Sequence, residues 1–112
     1  MVKPADRSYS RYSMEAARLL GQSIRLARID RKLTVEELAE RAGLSRGLVQ
    51  RIEKGDMGCA IGAAFEAAAI VGVRLFDANQ STMTAAIASN ERILTLLPQA
   101  VRNTSKAVKD DF

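Results

Sequence analysis

The chain has 112 residues, enough for one domain with short appendages that buries a core without disulfides or metals. Hydrophobic residues make up 47% of it and aromatics only 4%, with no Trp, which excludes a solvated disordered chain and favours helices packed on helices. Histidine is absent and Cys59 is the single cysteine, so imidazole catalysis, an internal disulfide and a His/Cys zinc site are excluded, while the formal charge of +4 suits a polyanionic partner.

The basic excess lies at the N-terminal end. Residues 1–32 carry a local +5, residues 33–55 are neutral, residues 56–77 carry −2 and residues 78–112 carry +1. On charge alone, a DNA footprint and a plain solvated face are equally good readings. No apolar run approaches the about 20 residues of a membrane span. Met1 to Arg18 lacks the apolar core of a signal peptide, so the expected location is the cytoplasm.

Residues 1–12 read as a flexible basic arm, with Lys3, Arg7 and Arg11 interleaved with Tyr9 and Tyr12, two rings expected to dock on the domain. A first helix is expected from Ser13, as N-cap, to Arg31, with Ala16, Ala17, Leu20, Ile24 and Ala27 on one apolar stripe. Thr34-Val35-Glu36-Glu37 has the form of a capping box opening a second helix, whose buried face is Val35, Leu38, Ala39 and Ala42. Gly43 stops it. Ser45 then caps a third helix that ends at Gly55, and so short an interval forces a steep crossing.

A fourth helix covers about Ala60 to Val71, with Ile61, Ala64, Phe65 and Ala68 as its stripe and Gly72 as its stop. Val73, Leu75 and Phe76 read as an apolar tag folding back on the core, and Cys59 as a small buried residue. A fifth helical segment, residues 80–97, ends at Pro98 and carries Met83, Ala86, Ile87, Ile93, Leu94 and Leu97. Either it docks within the chain or it forms a homodimer seam. The last fourteen residues, ending Asp110-Asp111-Phe112, read as a mobile tail, either idle or inserted into a partner. The expected fold is all-α: four or five helices, with residues 13–77 as the domain between arm and tail.

The third helix carries the chemistry. Leu48, Val49 and Ile52 fall on one side, Arg46, Gly47, Gln50 and Arg51 on the other. Arginine can bridge guanine O6 and N7, and glutamine adenine N6 and N7, so Arg46 and Gln50 are candidate base readers, with Gly47 letting the helix approach closely. Thr34 and Ser45, at helix N-termini, and Lys32, Arg51 and Lys54 are candidate phosphate contacts. Nothing in the sequence suggests a catalytic group, a cofactor or a metal.

These residues carry a resemblance. Ile24-Arg25-Leu26-Ala27-Arg28, the run from Leu33 to Ser45, and Val49-Gln50-Arg51-Ile52-Glu53-Lys54-Gly55 resemble the Xre/Cro/lambda-repressor helix-turn-helix family, over about Leu20 to Phe76. The resemblance implies a structural ion pair between Arg28 and Glu53, and a dimer bound to double-stranded DNA at two half-sites. Two departures stand out. Val35 replaces a glutamine that touches DNA in the family, and Gly47 and Leu48 replace small polar residues. The flanks, Tyr9-Ser10-Arg11-Tyr12, Gly72 to Asp77, and Leu97 to Arg102 with the terminal Asp110-Asp111-Phe112, resemble antitoxin regulators paired with HipA-like kinase toxins. The implied function is an autoregulating repressor and antitoxin. The alternatives are a stand-alone phage-type or restriction-modification control repressor, and an interaction adaptor without DNA binding.

Overall fold

The structure, a computed structural model, describes residues 8–98. Among the described residues five α-helices follow one another: α1 (Arg11–Asp30), α2 (Val35–Ala42), α3 (Arg46–Glu53), α4 (Ile61–Ile70) and α5 (Gln80–Thr95). The chain divides into two units between Asp77 and Ala78. In the first, α3 packs on α1 and α2, and α2 packs on α4. Expectations placed on residues 1–7 and 99–112, among them Lys3, Arg7, Asp110, Asp111 and Phe112, lie outside the described residues.

Local chemistry sets the helix ends. Thr34 Oγ1 accepts from Glu37 N–H at 3.0 Å, and the Thr34 N–H donates to Glu37 Oε1 at 2.8 Å, closing the capping box. Gly43 takes φ 70°, which a side chain would resist, and the chain turns within two residues to Ser45. Ser45 Oγ accepts from Leu48 N–H at 3.1 Å. Each such cap stabilises its helix by about 1 kcal/mol.

The core consists of Ile24, Leu33, Leu38, Ala39, Val49, Ile52, Ala67, Ala68 and Val71. Every one of the first four helices contributes, and α2 and α3 present the inward faces that their spacing implies. One close approach is not visible in any local pattern. At Gly21 a Cβ would meet the carbonyl oxygens of Ile52 and Glu53, the second at 2.7 Å, so α1 lies directly on the C-terminal turn of α3.

Several expectations are corrected. Ser10, not Ser13, caps α1: its Oγ accepts from Ser13 N–H at 3.2 Å, and the helix starts at Arg11, inside the expected arm. Tyr12, expected to dock on the domain, is 85% exposed, and Ala16 is exposed too, off the stripe that Ala17, Leu20, Ile24 and Ala27 form. In α4 the buried pair is Ala67 and Ala68, small residues that let α4 approach α2. Ile61, in the first turn, is 69% exposed and lines an open apolar groove with Met57, Cys59 and Phe65. Val73 and Leu75 pack against the core as expected. Phe76 does not: a left-handed backbone (φ 56°) turns it outward, 81% exposed, its ring edge-on to Phe65 at 6.3 Å between centroids. Cys59 is half-buried rather than buried; desolvation pushes its thiol pKa up while Arg51 pulls it down.

In the second unit, Asn79 caps α5 by accepting from Thr82 N–H at 2.9 Å. Ile87, Ile93, Leu94 and Leu97 are all more than half exposed.

The α1–α3 approach is testable. Gly21→Ala should lower stability by about 1–3 kcal/mol in urea denaturation, because backbone must move to admit the methyl group. A variant as stable as wild type would show that α1 does not lie on α3 in this way.

Candidate nucleic-acid interface

α3 is held from behind. Its inner face buries Val49 and Ile52, and its last residue, Glu53, is bolted to α1. Arg28 donates through Nε to Glu53 Oε2 at 2.7 Å and through Nη2 to Glu53 Oε1 at 3.1 Å. Its Nη1 donates to the Leu33 carbonyl at 2.8 Å. The two side chains are only 11% and 6% exposed. All three guanidinium nitrogens donate and both carboxylate oxygens accept, so the pair that the resemblance implied is present as a structural link.

The outer face is open. Arg46, Gly47, Gln50 and Arg51 are all exposed. A Cβ at Gly47 would meet nothing within 4 Å, so the residue opens the middle of this face rather than serving the packing. The arginines carry acidic partners. Arg46 Nη1 lies 3.5 Å from Glu36 Oε1, both side chains largely exposed. Arg51 Nε donates to Asp56 Oδ2 at 2.8 Å, and Asp56 Oδ1 accepts from Gly58 N–H at 2.7 Å. The Arg51 bond, followed by the Gly58 bond, holds the Asp56 carboxyl below the usual carboxylate range, and Asp56 in turn raises the Arg51 pKa.

The expected phosphate contacts separate. The Thr34 N–H is committed to Glu37, whose carboxyl is held below its ordinary pKa first by that bond and next by the Thr34 hydroxyl. With Glu36 and Glu37 both in its first turn, α2 presents negative charge where a phosphate would sit. The first turn of α3 has no acid. The Ser45 hydroxyl is taken up by capping, so what that end offers an anion is the backbone N–H groups of its first turn. Lys32 is exposed in the turn after α1, at φ 59°.

Lys54 and Gln50 border a cleft of about 200 Å³ with Arg25, Val35 and the Arg28–Glu53 pair. Arg25 is the basic residue that sequence reasoning passed over. It stands one turn before Arg28 on α1, and its spacing from an expected ion-pair partner was the available signal.

The pairing of Arg51 gives a test. Asp56→Asn should raise affinity for random duplex DNA several-fold and steepen its dependence on salt by about one unit, as one more arginine becomes available to phosphate. In the wild type the Asp56 carboxylate is ionised at neutral pH, and its depressed pKa extends the link into more acidic solution. The link is lost only as pH falls through that depressed value, below the ordinary carboxylate range. Unchanged affinity and slope in the variant would place Arg51 away from the DNA backbone.

Among the described residues no helix is long and apolar enough to cross a membrane, and no cluster of three or more metal-ligating side chains occurs. A search of curated proteins finds no match. A family model described as helix-turn-helix matches residues 24–75, from the middle of α1 past the end of α4. Residues 24–75 therefore form a helix-turn-helix domain of the Xre and lambda-repressor-like family, the fold of a DNA-binding transcriptional regulator.

Proposed function

We propose that the chain is a sequence-specific repressor that reads the DNA major groove with the outer face of α3. One observation carries this reading. Arg46, Gly47 and Gln50 are exposed on a helix whose inner face and C-terminal end are both fixed to the domain. A reader must hold its backbone still while it presents its side chains to the groove, and α3 combines both properties. Arg46 to guanine and Gln50 to adenine each supply about 1–3 kcal/mol of discrimination. Ser45, Arg51, Lys54 and Lys32 are assigned to phosphates, which fix register without carrying sequence information. Arg25 joins them through the cleft it shares with Lys54. Thr34 is assigned to the cap alone. Repression follows as the simplest consequence of occupying an operator in the cytoplasm.

The double substitution Arg46→Ala with Gln50→Ala should lower operator affinity by roughly 30-fold or more, while salt-sensitive binding to random duplex survives. Selection of the same operator by the double variant would refute the assignment of α3.

The active form is assigned as a homodimer, since two half-sites one DNA turn apart require two reading heads about 34–36 Å apart. The support lies in α5, which leaves Ile87, Ile93, Leu94 and Leu97 more than half exposed. Sedimentation should give twice the 12.2 kDa chain mass, and Ile87→Glu with Leu94→Glu should return it to one chain and weaken operator binding. A dimer that survives both charges places the seam elsewhere.

The flanks support a second role, as the antitoxin partner of a HipA-like kinase toxin. Tyr9-Ser10-Arg11-Tyr12 opens α1, and Tyr12 and Phe76 stand 85% and 81% exposed on the described domain. A kinase gene beside this one decides for that role, and its absence decides for a stand-alone repressor.

A further inference from the structure

The two adjacent glutamates of α2 have different employments. Glu37 is consumed by the Thr34 cap. Glu36 sits 3.5 Å from the Arg46 guanidinium, on the first residue of the next helix. It stands beside Val35, which leaves the start of α2 without an amide side chain at its first position.

We infer that Glu36 is a positioning residue for base reading by Arg46, exchanging general affinity for discrimination. The inference rests on the proposed reading of α3. Arginine has five N–H donors in a rigid fork. Glu36 engages the Nη1 side, which leaves the rest of the fork to approach guanine. In the free protein the pair is loose and solvated, and such pairs contribute little. In a DNA groove from which water is expelled the same charges interact more strongly, so the restraint appears in the complex. The same nitrogens facing a phosphate would bring it close to the Glu36 carboxylate, whose charge repels it, whereas a guanine edge carries no net charge. Glu36 therefore disfavours the sequence-blind use of Arg46 and favours the base-directed one.

The test is selection from a random duplex pool, with binding to unselected duplex measured alongside. Arg46→Ala should flatten the preference at one base position. Glu36→Gln keeps the size and loses the charge; it should weaken preference at that same position by roughly three- to tenfold and raise affinity for unselected duplex. In an Arg46→Ala background, Glu36→Gln should have no effect on base preference, an outcome that a merely structural role would not give. Glu37→Gln, which touches the cap, should change thermal stability and leave the preference intact. Glu36→Ala repeats the measurement without the amide. The inference is overturned if Glu36→Gln and Glu36→Ala leave the preference at the Arg46 position unchanged, or change it equally without Arg46. If Arg46→Ala selects the wild-type motif, the reading of α3 has failed instead, and this inference with it.

Discussion

The position of α3 depends on one buried link. Arg28 grips both oxygens of Glu53 and, with its remaining terminal nitrogen, the carbonyl of Leu33. Three segments meet there: the last turns of α1, the turn into α2, and the C-terminal end of α3. Placing two charges at 11% and 6% exposure is costly, and the geometry offsets that cost by leaving neither carboxylate oxygen unbonded. Removing one partner would strand the other, at about 3–5 kcal/mol, a large share of the stability of so small a domain. Gly21 completes the arrangement, since no side chain stands between α1 and the last carbonyls of α3. The outer face of α3 is therefore fixed in place by what lies behind it.

In front, the charge is mostly balanced. Residues 33–55 are neutral, and two of the arginines on or beside the outer face carry acidic partners, Glu36 and Asp56. Long-range attraction to DNA must come from elsewhere. On the proposed reading it comes from the exposed Arg18, Arg25, Arg31 and Lys32 of α1 and its following turn, part of the +5 in residues 1–32. That reading assigns attraction and discrimination to different helices. That division suits a regulator that must leave wrong sites quickly and still arrive fast.

Much of this was legible in the sequence, because it is local. The Thr34–Glu37 box, the left-handed Gly43, the Ser45 cap and the inward Val49 and Ile52 all follow from spacings of a few residues. Where two residues of one type compete within a turn, spacing decides less, and the α1 cap fell to Ser10 rather than Ser13. Ile61 and Phe76 are apolar at helix-compatible positions yet exposed, one at a helix start and one turned outward by a positive φ. Gly21 gave no local sign, since its role exists only once α3 lies across it. The partners of Arg46 and Arg51 depend on side-chain directions across a turn and a loop, which periodicity does not encode.

On the proposed reading, DNA meets the outer face of α3. Titration of isotope-labelled protein with duplex DNA, followed residue by residue by NMR, tests it most directly. The amide signals of Arg46, Gly47 and Gln50 should move most, with Arg25 and Lys54 following and Ala67 and Ala68 still. Shifts concentrated on α4 or α5, with α3 unmoved at saturation, would contradict it.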